Sequence, residues 1–162
     1  MLNISISAKI SKLADIEDSV RGSKIIISGH VTIDSFVKIK PAGGLGDLYI
    51  GENSVINSGC VLYTGNGITI GKNVAIAANC TFAPTNHQFK RKDVLIREQG
   101  FQPSRGGIVI EDDVWIGAGC TLLDGAHVKI GAVIGAGSIV KGVVEPFTIN
   151  AGNPLRKISE RT

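Results

Sequence analysis

Aliphatic residues recur along the chain at spacings of six, in five blocks. The series is Ile4, Ile10, Ile16; Ile27, Ile33, Ile39; Ile50, Ile56, Leu62; Ile70, Ile76, Phe82; and Ile110, Ile116, Leu122, Val128, Ile134, Val140. A small or β-branched residue stands four positions after each of them, with Asn66 and Asn86 as the two exceptions. This second series begins at Ala8, includes Val20 and Gly43, and ends at Val144. A period of six matches neither the α-helix nor the alternation of a half-buried strand. It predicts a short strand and a tight corner, repeated so that like residues stack.

Three strands and three corners make one coil of 18 residues, and successive coils lie about 4.8 Å apart. The pattern therefore predicts an all-β fold, a parallel β-helix of about six coils over residues 1–148, followed by a C-terminal tail, 149–162. Aliphatic residues are expected inside, and small residues where the walls converge. Cys60, Cys80 and Cys120 occupy the small position, where a thiol is a compact apolar filler. Glycine and asparagine are expected to allow left-handed backbone at the corners.

Insertions interrupt the period at residues 21–26, 45–49 and 68–69, and the longest separates Phe82 from Ile110. Long loops on a rigid repeat scaffold often carry function, so the loop 83–109 is the candidate functional segment. It contains His87 and the basic run 90–92. The basic run suits an anionic glycan or nucleotide sugar, and a solvated loop face is the alternative interpretation.

Composition excludes several classes of protein. Hydrophobic residues make up 43% of the chain, which rules out wholesale disorder, and the 21 glycines follow no collagen period. The net charge of +3 is too small to indicate nucleic-acid binding. No signal peptide or membrane span is recognisable, and three cysteines do not form a disulfide framework. A cytoplasmic setting is the expectation.

Three motifs carry a resemblance to a known family: IGKNVAIAANCTFAPTNH, then IVIEDDVWIGAGCTLLDGAHVKIGAVIGAGSIV, then AGNPLRKISER. In this order around a histidine-bearing loop, they resemble the hexapeptide-repeat acetyltransferases, in the branch that O-acetylates sugars and polysaccharides. The resemblance implies a left-handed β-helix and a homotrimer with sites between subunits. It also implies acetyl-CoA as the acyl donor, a sugar or polysaccharide-precursor acceptor and no required metal.

His87 is the candidate general base. An imidazole with an ordinary pKa near 6.5 accepts a proton from a hydroxyl at neutral pH, as acyl transfer from a thioester requires. In the enzymes that this chain resembles, a histidine at this position has that role. By the same resemblance Asn57 contacts the acceptor, with a corner asparagine in left-handed backbone as the alternative.

The resemblance also implies a set of donor-binding residues. Trp115 would flank the pantetheine arm, or else lie in a subunit interface. Ala118 and Ala136 would offer backbone groups, and Lys141 and Arg156 would meet the nucleotide phosphates. Asn153 and Pro154 would shape the tail around the donor.

Three other functions stay open at this point. The first is N-acetylation of a nucleotide-linked amino sugar on the same scaffold, and the second is a non-catalytic β-helix. The third is a metal site like that of the γ-class carbonic anhydrases, which are also left-handed β-helices. Those enzymes have two histidines five residues apart, whereas His30, His87 and His127 include no such pair.

Overall fold

The computed structural model describes residues 1–162 as a parallel β-helix with three sheets. The first sheet contains β1 (Leu2–Ile4), β4 (Ile25–Ile27), β7 (Leu48–Ile50), β10 (Ile68–Ile70), β13 (Ile108–Ile110), β16 (His127–Val128) and β19 (Val143–Val144). The second contains β2 (Lys9–Ile10), β5 (Thr32–Ile33), β8 (Val55–Ile56), β11 (Ala75–Ile76), β14 (Trp115–Ile116), β17 (Val133–Ile134), β20 (Thr148–Ala151) and β21 (Arg156–Glu160). The third contains β3 (Asp15–Ile16), β6 (Lys38–Lys40), β9 (Val61–Tyr63), β12 (Thr81–Ala83), β15 (Thr121–Leu123) and β18 (Ile139–Val140).

The chain visits the three sheets in turn, so β1 to β18 form six complete coils and β19 and β20 begin a seventh. The prediction of an all-β parallel β-helix of about six coils is confirmed. All neighbouring strands are parallel except β21, which turns back and pairs antiparallel with β20. The only helical segment is a single 3-10 turn, Ile96–Glu98, so the fold has no helix long enough to cross a membrane.

The predicted aliphatic positions form the core. From Ile27 to Val140 each of them is at most 1% exposed, and like residues pair in register from coil to coil, as Ile56, Ile76 and Ile116 do. The first coil differs, because its strands have a neighbour on one side only. Ile4 is consequently 38% exposed, and Ile10 and Ile16 are half-buried.

Two members of the small-residue series do not lie where the pattern predicts. Val20 is 98% exposed, and Gly43 lines a surface cavity. Both follow a strand of the third sheet at a point where the chain leaves the prism. The spacing of six in the sequence therefore continues into residues that lie outside the coil.

The predicted insertion bounds are also shifted. The chain leaves the coils at 17–24, 41–47, 64–67 and 84–107, whereas residues 25–26, 48–49 and 68–69 belong to strands. Strands of the first sheet in these coils have three residues, and the aliphatic residue that marks the hexad is the last of the three. Because the sequence pattern marks only this last residue, it assigns the first two residues of each strand to the insertion, and the predicted insertions lie too late in the chain.

Glycine and asparagine do provide left-handed backbone at the corners, as predicted, but the glycine directly after a core aliphatic residue has a different purpose. Gly51 and Gly117, which directly follow a core aliphatic residue, do not have left-handed backbone. A Cβ on Gly117 would lie 2.5 Å from the backbone nitrogen of Ala136, so glycine is required for the close approach of adjacent coils. Left-handed backbone occurs two residues later, as at Asn53 and Gly119.

The three cysteines are buried and unpaired, as expected for filler residues, and each also makes a polar contact. The thiol of Cys60 lies 3.1 Å from the Ala77 carbonyl, and those of Cys80 and Cys120 lie 3.2 Å from the next carbonyls in the stack. The pKa of the Cys120 thiol is raised, chiefly by its hydrogen bond with the Cys80 thiol and also by burial. The thiols therefore satisfy carbonyl groups of the corner as well as filling it.

Candidate active site

All four insertions leave the prism at one edge, the edge where the chain passes from the third sheet to the first. We call it the insertion edge; it comprises residues 17–24, 41–47, 64–67 and 84–107. Backbone hydrogen bonds connect successive insertions, such as that from the N–H of Gly65 to Ala42 and that from the N–H of Asn66 to Pro84. The insertions therefore form one continuous stack, on which the long excursion 84–107 rests.

Side-chain hydrogen bonds also hold both ends of the excursion. At its start, the Thr85 hydroxyl donates to the Gly43 carbonyl at 3.0 Å. At its end, the Asp124 carboxylate accepts hydrogen bonds from the N–H groups of Arg105 and Gly107, at 2.8 and 2.9 Å. Asp124 is only 2% exposed, and it also accepts a longer bond from the Asn66 amide.

The interior of the excursion is held by its own hydrogen bonds. His87 and Phe101 form an antiparallel bridge, and the Gln88 N–H donates to the Gly100 carbonyl at 2.8 Å. The Gln99 amide donates to the carbonyls of Arg91 and Val94 at 2.7 and 2.8 Å. The basic run 90–92 is exposed, and Arg91 forms an ion pair with Asp93.

His87 lies at the mouth of a cavity of about 260 Å³. Its imidazole is exposed and packs against the Phe101 ring, with ring centroids 4.8 Å apart and planes tilted by 53°. The ring makes no hydrogen bond within the chain, so both nitrogens are free to bond a ligand. The cavity is lined by Ala42, Gly43, Tyr63, Ala83, Pro84, Thr85, His87 and Phe101.

Asn57 lies on a different edge, the one where the chain passes from the second sheet to the third. We call this the alanine edge; it comprises residues 57–59, 77–79, 117–119 and 135–137, which follow β8, β11, β14 and β17. The Asn57 amide donates to the Ile76 carbonyl at 2.7 Å, which leaves its side-chain oxygen available. Asn57 does not have left-handed backbone, so the alternative interpretation of it as a left-handed corner residue is wrong.

Ala118 and Ala136 stack on the same alanine edge, two and three coils further on. Both are exposed, and neither backbone N–H donates a hydrogen bond to the backbone. The Ala118 carbonyl is occupied, since it accepts from the Gly137 N–H at 2.8 Å. The N–H groups of Ala118 and Ala136 are therefore free to donate to a ligand at this edge.

Trp115 lies on the outer face of the second sheet and is 55% exposed. Its strand neighbours are Ala75 and Val133, and with them it lines a shallow cavity of about 310 Å³. An exposed tryptophan between two small apolar residues is suited to packing against a ligand or a second chain.

Lys141, Asn153 and Pro154 come together around a cavity of about 210 Å³ at the end of the prism. Leu155, beside them, packs against the core and fixes the turn that leads into β21. The predicted tail from residue 149 thus begins within β20. Arg156 is exposed at the start of β21 and does not line this cavity.

The remaining histidines lie apart from His87. His30 has left-handed backbone at a corner of the second coil. His127 lies on the outer face of the first sheet, 2.7 Å from a carboxylate oxygen of Glu111. The pKa of the Glu111 carboxyl is lowered, chiefly by the hydrogen bond from the Ile130 N–H and also by the one with His127. Nowhere in the chain do three potential metal-ligating side chains cluster.

Several residues that shape the site carry no sequence signal of their own. Asp124 is a single polar residue in ordinary surroundings, and Tyr63 and Phe101 belong to no repeated motif. Only the position of Asp124 could have indicated a role, because it directly follows β15 at the point where earlier coils have their insertions.

Comparisons with known proteins agree with this architecture. The sequence profile of the family described as hexapeptide repeat of succinyl-transferase matches residues 48–81 and 107–141. The chain is 35% identical over 114 residues to galactoside O-acetyltransferase of Escherichia coli, an alignment covering 70% of this chain and 54% of that protein. It is 37% identical over 140 residues to mitochondrial gamma carbonic anhydrase 2 of Arabidopsis thaliana, covering 79% of this chain and 50% of that protein.

Among solved structures, a variant of AntD from Bacillus cereus superposes with a TM-score of 0.83 and 25% sequence identity. The superposition covers 99% of this chain and 84% of AntD, an N-acyltransferase in complex with dTDP-4-amino-4,6-dideoxyglucose and coenzyme A. The repeats and the fold are those of the hexapeptide-repeat, left-handed β-helix proteins, and the chain is similar in sequence to acetyltransferases of this architecture. The chain spans about half the length of the curated relatives that it matches.

Proposed function

We propose that the protein transfers an acetyl group from acetyl-CoA to a hydroxyl of a sugar or surface-polysaccharide precursor. The observation that carries the proposal is the position of His87. An exposed imidazole stands at the mouth of a cavity, on the one long excursion of a repeat scaffold similar to acetyltransferases. The cavity is of a size that holds a small acceptor, and the imidazole is the group that can accept its proton.

The chemistry assigned to His87 is general base catalysis. The imidazole takes the proton of the acceptor hydroxyl while the hydroxyl oxygen attacks the thioester carbonyl. A new C–O bond forms, the C–S bond breaks, and the leaving thiolate receives the proton from the imidazolium. Thiols ionise near pH 8.5, so the thiolate leaves with little acid assistance. Free backbone N–H groups would stabilise the oxyanion formed on the way.

The donor half of the site is assigned to the alanine edge and the end of the prism. The unbonded N–H groups of Ala118 and Ala136 are suited to the amide carbonyls of a pantetheine arm. Trp115 would pack against the same arm. Lys141 would meet a phosphate beside Asn153 and Pro154, with which it shares a cavity, and Arg156 would add charge at its rim.

The active assembly is proposed to be a homotrimer. The outer face of the second sheet carries Val55, Ala75, Trp115 and Val133 in one row, an apolar strip suited to burial against another chain. His87 and Ala118 lie on different edges of the prism, separated by the width of the third sheet. Packing of a second chain would bring the base of one chain to the donor groups of the next.

Replacement of His87 tests the proposal. We expect His87→Ala to lower kcat for acetyl transfer from acetyl-CoA at least about 100-fold with little change in melting temperature, because the exposed ring makes no hydrogen bond and packs only against Phe101. His30→Asn is the matched control, since asparagine tolerates the left-handed backbone that His30 adopts. Full activity of His87→Ala would exclude the assigned base, and no acetyl transfer by the wild type would favour a non-catalytic β-helix.

The similarity to AntD favours a second candidate, N-acylation of a nucleotide-linked amino sugar. The same imidazole would then take a proton from the attacking amine. The two candidates differ in the stability of the product, because mild alkali cleaves an ester and leaves an amide intact. Treating the isolated product with alkali and measuring released acetate therefore distinguishes them. The lack of two histidines five residues apart favours either transfer over a metal site like that of the γ-class carbonic anhydrases.

A further inference from the structure

The walls of the cavity beside His87 are mostly apolar. Ala42 and Ala83 contribute methyl groups, Pro84 contributes its ring, and Tyr63 and Phe101 contribute aromatic side chains that are partly exposed. This is an uncommon lining for a site that is to receive a polar sugar, and it rests on residues that the proposed mechanism does not use.

The cavity has only three polar side chains, Tyr63, Thr85 and His87, and one of them is already committed. The Thr85 hydroxyl donates its proton to the Gly43 carbonyl at 3.0 Å, and Pro84 has no N–H to offer. Beyond these, the cavity offers the Tyr63 hydroxyl at its rim and the His87 imidazole. A hydroxyl group turned toward the alanine and proline walls would lose its water without gaining a partner, which is unfavourable.

Two glycines allow the close approach of the insertions to Thr85 in the wall of this cavity. A Cβ on Gly43 would lie 3.0 Å from the Thr85 hydroxyl oxygen, and one on Gly65 would lie 2.2 Å from the same atom. Gly43 also has a φ of +80°, a backbone conformation that other residues rarely adopt. The Thr85 side of the cavity is thus fixed by the close stacking of the insertions.

We infer that the acceptor enters this cavity with an apolar face, as a deoxysugar in which a hydrogen or methyl group replaces a hydroxyl. The apolar face contacts Ala83 and Pro84, while the nucleophilic group points toward His87. This inference rests on the proposed function and extends it, since it names the class of acceptor. The wall composition favours a deoxysugar over a fully hydroxylated hexose because only the hexose would bury an unpaired hydroxyl.

Protection of His87 from modification tests the inference without requiring turnover. Diethyl pyrocarbonate modifies exposed imidazoles, and mass spectrometry reads His87 and the exposed His30 separately. The probes are methyl glycosides in three matched pairs that differ by one oxygen at C6: galactose and fucose, glucose and quinovose, mannose and rhamnose, all of the D series. We expect at least one deoxy member to protect His87 at about tenfold lower concentration than its partner, with His30 unaffected.

A second variant makes the result specific to the wall. Ala83→Ser adds a hydroxyl to the lining and should reduce the preference for the deoxy member, whereas Ala8→Ser in the first coil should leave it unchanged. Equal protection within every pair, or no protection by any deoxy glycoside, would overturn the inference. Acetyl transfer to the same six glycosides is measured in parallel. Selective protection with no transfer by the wild type to any acceptor would count against the proposed function instead.

Discussion

At the scale of single residues, glycine determines how closely the insertions can stack at the insertion edge. A Cβ on Gly44 would lie 2.3 Å from the Gly65 carbonyl oxygen, and one on Gly46 would lie 2.1 Å from the Gly67 nitrogen. Neither Gly44 nor Gly46 has left-handed backbone, so the constraint is steric. The stack of insertions that supports the excursion therefore depends on these two glycines, because a side chain at either position would push neighbouring insertions apart.

Gly46→Ala is expected to destabilise the protein by about 1–3 kcal/mol, because the added methyl group overlaps backbone that cannot move independently. Gly142→Ala is the matched control. Gly142 also has ordinary backbone, but a Cβ there would meet nothing within 4 Å. Urea denaturation of both variants measures the difference, and equal midpoints for the two would show that the insertions are not tightly stacked.

The residue pattern predicts the core well and the corners less well. Positions such as Ile56 and Cys80 could be assigned from spacing alone, because interior contacts repeat from coil to coil. The role of Gly117 could not, since its reason is the nearness of Ala136 in the next coil and not its own backbone angle. Asn57 likewise appears as a corner residue in the sequence, whereas its amide bonds to the neighbouring coil.

At the scale of elements, the excursion 84–107 behaves as a loop fixed at both ends. The fixed point at its end is the Asp124 carboxylate, which is buried and receives two backbone N–H groups of the excursion. Because Asp124 directly follows β15, the rigid coil positions the loop that carries His87.

Asp124→Ala is expected to loosen the excursion, because the N–H groups of Arg105 and Gly107 lose their acceptor, at a cost of about 1–3 kcal/mol each. Limited trypsin digestion should then cleave the variant faster within 90–105, as read by mass spectrometry. Asp47→Ala is the control, since Asp47 accepts a hydrogen bond from Lys24 in an earlier insertion and does not contact the excursion. Unchanged cleavage of Asp124→Ala would mean that other contacts hold the loop.

The interruption of the period locates the excursion but does not predict its attachment. Asn66 and Asp124 are 58 residues apart in sequence and meet only because each coil returns to the same edge. Contacts of this kind depend on the register of the coils, which the insertions shift. The position of His87 in the chain was therefore predictable, whereas its neighbours Tyr63 and Phe101 were not.

At the scale of the whole molecule, the predicted site residues divide between two edges. Asn57, Ala118 and Ala136 lie on the alanine edge, and His87 lies on the insertion edge. The third sheet separates the two edges by about 17 Å, the length of roughly five extended residues. A small acceptor cannot contact both edges of one chain, so a site that uses both requires either an extended donor or a second chain.

Mixed assemblies decide between these two arrangements. His87→Ala removes the base, and Ala136→Trp blocks the alanine edge with a bulky side chain at an exposed position, so each variant alone should be inactive. Co-expression would place both chains in one assembly, the proposed homotrimer. If a site combines His87 of one chain with Ala136 of the next, random assembly restores about a quarter of the wild-type activity per site, because half of the chains carry each intact element. Differently tagged chains, purified by both tags in sequence, enrich the mixed species for the assay. If each site lies within one chain, every site in the mixture carries one defect and the activity stays at the level of the two parents.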